Sequence, residues 1–183
     1  YTRSVEGSSF KEYKGVMQIK ATLSSLLALV DDIPAYPEWI HTCVEAKVLK
    51  KIDQRESVIY TVNDAPWPVS DRDAVTRNVI SQNHETLVVT ISILGVPDFV
   101  PPEPGLVRVK KLKGFWRFSP LANGSVQVVY QVHNEPGGKL PTWLVNSVVV
   151  TQPFRTLLNM KERIKEPVYR VKKYEFIKEK YED

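Results

Sequence analysis

Apolar residues along this 183-residue chain follow two periods, and the change from one to the other divides it. Near the start, Val16, Gln18 and Lys20 alternate with Met17 and Ile19, a strand pattern in which successive side chains point to opposite faces. From Leu23 the spacing becomes helical. Leu23, Leu26, Leu27 and Val30 share one face, and Thr22 stands where a capping oxygen is needed. Pro34 ends that helix, and Pro37 is placed to open a short second one carrying Trp39 and Ile40. Six strand-like stretches follow, at 45–52, 57–62, 74–81, 87–94, 106–112 and 126–134, with turn signals such as Gln82-Asn83 and Asn123-Gly124 between them. Short connections between successive strands favour an antiparallel sheet. After Pro136-Gly137-Gly138 the helical period returns, and 141–165 reads as one helix with Val145, Val149, Gln152, Thr156 and Met160 along a face. Pro153 is predicted to kink it.

This order predicts an α+β domain in which a curved antiparallel sheet wraps a long C-terminal helix. A sheet curled around a helix leaves a tunnel unless large side chains fill it. The domain is expected to end near 166, leaving 167–183 as a charged extension.

Composition narrows the function. Lys plus Arg number 25 against 21 Asp plus Glu, a net charge of +4 spread along the chain, so no basic patch of the nucleic-acid-binding kind is expected. The single cysteine, Cys43, and three scattered histidines form no metal-ligand set. No apolar run approaches the roughly 20 residues of a membrane-spanning helix. Cytoplasm and periplasm fit equally, with any export signal lying outside this chain.

Pro66-Trp67-Pro68-Val69-Ser70-Asp71-Arg72-Asp73 resembles a signature of the START family of lipid-transfer domains. Supporting matches are Glu38-Trp39 with Val48-Leu49, Gly105 with Arg108, and Trp116 before Pro120-Leu121. His133-Asn134-Glu135-Pro136-Gly137-Gly138 leading into Leu140-Pro141 and Asn146 resembles the family's approach to its last helix. The likeness runs from about Phe10 to Glu166 and is greatest to stand-alone bacterial-type members, with the family's N-terminal helix expected to be absent. It implies the helix-grip fold and a hydrophobic tunnel for one lipid or similar apolar molecule, with no catalysis and no cofactor. It also implies a lid over 95–105, where Val96, Phe99 and Val100 beside rigid prolines would make transient contact with a membrane surface. A monomer is expected.

Strand alternation and helix spacing then nominate the tunnel wall: Thr76, Asn78, Ile91, Ile93, Val128, Tyr130, Val132, Val145, Val149, Gln152, Thr156 and Met160. Several family members carry an arginine five residues after the last Asp of the motif. Here that position is Asn78, and Arg77 lies on the opposite strand face, which argues against a sterol bound through an internal ion pair. Asp71, Arg72 and Asp73 are read as structural, bonding backbone groups around a proline-fixed turn. Trp67 and Trp116 are read as core or loop anchors. The cluster Arg108, Lys110, Lys111 and Lys113 reads first as a solvated strand face and second as a lipid head-group contact. Two rivals stay open. One is an aromatase- or cyclase-like enzyme drawing on Tyr60, Asp64 or Arg77, and the other an interaction module whose tunnel is plugged by side chains.

Overall fold

The computed structural model describes residues 1–138 and 142–181, and for 142–150 the backbone alone. Nine strands form one sheet: β1 (Thr2–Ser4), β2 (Lys11–Ile19), β3 (Cys43–Lys51), β4 (Glu56–Asn63), β5 (Arg72–Gln82), β6 (Val89–Gly95), β7 (Val107–Arg108), β8 (Lys111–Pro120) and β9 (Val126–Glu135). The order across the sheet is β1-β2-β9-β8-β6-β5-β4-β3, all antiparallel, with β7 pairing parallel to β5 at its start. The helices are α1 (Leu23–Asp31), α2 (Tyr36–Trp39), α3 (Thr142–Arg163) and α4 (Pro167–Arg170). Among the described residues no helix is long and apolar enough to cross a membrane.

Thr22 caps α1 as expected, its hydroxyl accepting from the Ser25 N–H at 3.1 Å. Leu23 through Val30 are all buried, so α1 is a core helix enclosed on every side rather than an amphipathic surface one. Part of that enclosure comes from the tail. Tyr169 and Ile177 are buried, and Tyr174 and Phe176 pack against the same core. The Glu179 carboxylate accepts from the Leu23 and Ser24 N–H groups at 2.9 and 2.8 Å, satisfying donors that the first turn of a helix leaves open.

The stretch expected as one strand at 106–112 divides in two. Val107 and Arg108 pair with Arg72 and Asp73, and the chain then enters β8, which the pattern had not marked beyond 112. Its inward row is Leu112, Gly114, Trp116 and Phe118, and the glycine interrupts the apolar alternation. Any side chain at Gly114 would strike the Gln131 carbonyl oxygen and Val132 on β9. A second glycine, Gly15 on β2, seats α3, since a Cβ there would run into Leu157, with Pro153 next to it. Pro153 lies within α3, which continues through it.

Candidate functional site

Alternation along β5 sets two faces. Arg72, Ala74, Thr76 and Asn78 point to the concave side, opposite Asn63, Thr61, Ile59 and Ser57 of β4, while Asp73, Val75 and Arg77 point outward. Above the concave row, between the sheet, the 40–43 turn and α3, lies a cavity of about 390 Å³. That is at the small end of the ~300–1,000 Å³ typical of ligand pockets. Its sides are largely apolar, from Ile59, Ile93, Val109, Leu112 and Val132.

Aromatic packing limits its depth. Trp116 stacks on Tyr130 with ring centroids 3.8 Å apart, Tyr13 meets Tyr130 edge-on, and Trp39 lies 5.9 Å from Trp116. The Tyr13 and Tyr130 hydroxyls are 3.3 Å apart. Burial raises both phenols above their ordinary value, so they are neutral hydrogen-bonding groups. Cys43 also lines the wall, where burial pushes its thiol up to about 11. At the rim, Gln152 Nε2 reaches Thr42 Oγ1 at 3.5 Å and the Asp64 N–H donates to the Thr42 carbonyl at 2.8 Å. These bonds hold Thr42 at φ 70, a conformation costly for a β-branched residue.

Two buried polar atoms in this wall have no hydrogen-bond partner among the described residues, Asn78 Oδ1 and Arg72 Nε. Such atoms are rare in folded proteins because each costs the desolvation of a polar group. The Arg72 Nη1 donates to the Ser70 carbonyl oxygen, and burial pulls the guanidinium below its ordinary value against the opposing effect of Asp71. Asp71 itself accepts from the Ala65 N–H at 3.0 Å, which closes the Pro66-Trp67-Pro68 turn.

The nominated wall residues divide by place. Thr76, Asn78, Ile93, Tyr130, Val132 and Gln152 line the cavity, and Asn78 rather than Arg77 faces it. Arg77 is on the outside, paired with Glu56 at 2.7 Å. Ile91, Val128 and Met160 lie in close-packed core below the aromatic floor, and Thr156 is fully buried with its hydroxyl accepting from the His41 N–H at 3.1 Å. They share the strand or helix face of the lining residues, but sequence spacing cannot show where the floor closes the space. The side chains of Val145 and Val149 lie outside the described residues.

The loop expected to be a lid sits elsewhere. Val96 and Val100 pack with Leu49 and Leu106 on Val58, Tyr60, Val62 and Val75, the outer face of the sheet, and Phe99 is 44% exposed. None of Val96, Phe99 and Val100 reaches the cavity wall. The latch is Arg108. It bonds Asp73 through two nitrogens at 3.1 and 2.8 Å and donates to the carbonyls of Pro97, Val100 and Pro101. The basic cluster is thereby broken up, with Arg108 buried, Lys111 paired with Glu135, and Lys110 and Lys113 exposed. Trp116 is core, whereas Trp67 is 92% exposed on the turn beside the cavity mouth. Of the acid–base candidates, Asp64 stands on the rim, while Tyr60 and Arg77 face outward. Sequence reasoning had not marked Arg72 as cavity-facing. The alternation that placed Asn78 inside extends to it.

A family model for the START domain matches residues 4–168. This chain belongs to the START domain family. The domain is 39% identical over 161 residues to an uncharacterized Pseudomonas aeruginosa protein, covering 88% of this chain and 79% of that one. It superposes on a STAR-related lipid transfer protein fragment from Xanthomonas axonopodis with TM-score 0.83 at 35% identity, covering 91% and 92% of the two chains. It is also 27% identical over 146 residues to rat phosphatidylcholine transfer protein, covering 77% of this START domain and 67% of the rat protein. The open antiparallel sheet closed by C-terminal helices is the helix-grip arrangement of these proteins.

Proposed function

We propose that this START domain takes one hydrophobic small molecule into the concave-face cavity and carries it, without catalysing a reaction. The observation that supports this most is the cavity itself, an apolar space of about 390 Å³ kept open in a core otherwise packed with aromatic rings. A space of that size lies within the range of pockets that take small molecules. That suits one short acyl chain or a narrow ring system. Burying a dozen methylenes is worth about 10 kcal/mol, enough to hold the ligand in transit.

Loading and release need contact with the donor and acceptor phase. Trp67 at the mouth and Phe99 on the outer-face loop are exposed aromatic side chains that would touch a membrane surface in passing. The test is native mass spectrometry of protein purified from its own host, followed by extraction and identification of released molecules. A stoichiometric single-chain lipid or other apolar molecule is the expected result. Protein that is empty and takes up no fluorescent fatty acid or sterol would overturn the reading.

A further inference from the structure

Most of the cavity wall is neutral. Among its described residues the one guanidinium is Arg72, which is buried, and the one carboxylate is Asp64, which is exposed on the rim. A buried cation in an apolar wall is unfavourable unless its donors are taken. Arg72 meets that need only in part. Its Nη1 is used by the Ser70 carbonyl, but among the described residues neither Nε nor Nη2 has an acceptor. Nε and Nη2 form one edge of the planar fork, the geometry that takes both oxygens of a carboxylate or phosphate. Nη2 lies 4.0 Å from where a Cβ on Gly138 would sit, so the Pro136-Gly137-Gly138 turn stands beside this edge. Arg72 is one of the residues that line the cavity. Asn78, the other unpartnered group, lies six residues further along the same face, about 20 Å away at ~3.3 Å per residue.

We propose that Arg72 is the head-group site of this cavity and that its ligand is a narrow, single-chain amphipath ending in an oxyanion, either carboxylate or phosphate monoester. The ligand's tail runs inward along Ala74 and Thr76 toward Asn78. This rests on the carrier reading and names the class of cargo.

The test compares probes of one chain length on wild-type protein by isothermal titration calorimetry: dodecanoate, dodecyl phosphate, dodecan-1-ol and dodecylammonium. At least one of the two oxyanions should bind tenfold or more tighter than the alcohol, with dodecylammonium weakest, and the tighter of the two names the head group. Arg72→Gln should shrink the gap between oxyanion and alcohol to threefold or less. Equal affinity for oxyanions and alcohol in the wild type would overturn the head-group assignment and leave the carrier reading standing. Failure of all four probes to bind folded protein would overturn both. Because the wild-type comparison decides by itself, an Arg72→Gln variant that fails to fold does not rescue the proposal.

Discussion

Two arginines of similar burial, 8% exposed at Arg72 and 9% at Arg108, sit on opposite faces of the same sheet and are treated differently. Arg108, on the outer face, is saturated by the Asp73 carboxylate and three loop carbonyls, and it locks the 96–106 loop to the sheet. Arg72, on the concave face, has one backbone carbonyl and, among the described residues, no partner for its Nε, and it lines a cavity. A satisfied buried charge is architecture, and an unsatisfied one beside empty space points to something that arrives later.

Matched substitutions break or sharpen this contrast. Arg108→Met leaves the fully buried Asp73 carboxylate without its partner and should cost about 3–5 kcal/mol in urea unfolding. A loss under about 1 kcal/mol would mean that the latch is dispensable. Gly15→Val forces a side chain into Leu157 and should lift α3 from β2, costing about 1–3 kcal/mol in the same measurement. An unchanged midpoint would show that α3 is not seated there.

The concave wall also carries a pH signature through Cys43. Its thiol ionises near 9.0 when unfolded and near 11 when folded, so the folded state holds the proton across that window. Stability should therefore fall as pH rises from 9 to 11, and Cys43→Ala should flatten this part of the profile. Parallel wild-type and variant profiles would assign the loss to other groups. The smallest effect is expected from Arg72→Met, within about 1 kcal/mol of wild type in either sign, because it removes an under-satisfied buried cation and one hydrogen bond. A loss as large as that of Arg108→Met would place Arg72 in the architecture instead.

Much of the fold was legible because it depends on local periods. The α1 cap at Thr22, the alternation of β9 and the placement of Asn78 and Arg77 on opposite faces all follow from one- or two-residue rules, whereas which of the two meets the cavity came from the tertiary structure. Strand β8 was missed because Gly114 breaks its apolar row, and that glycine is required by a contact with a different strand. The short β1 has no apolar pattern at all, being exposed throughout. Trp67 was expected to be a core or loop anchor, but a proline turn closed by Asp71 holds it in solvent.

The sequence alone determined the family, the order of most elements and which residues of the strands it marked share a face, since these are written in motif and period. Tertiary structure decided which of two equivalent faces the 96–106 loop covers, how deep the aromatic rings leave the cavity, and that the tail closes over α1 through Glu179. These depend on contacts between residues as far apart as Leu23 and Glu179, or Asp73 and Arg108. A local pattern shows that a residue is turned inward, but what it meets there is set by distant segments packed against it.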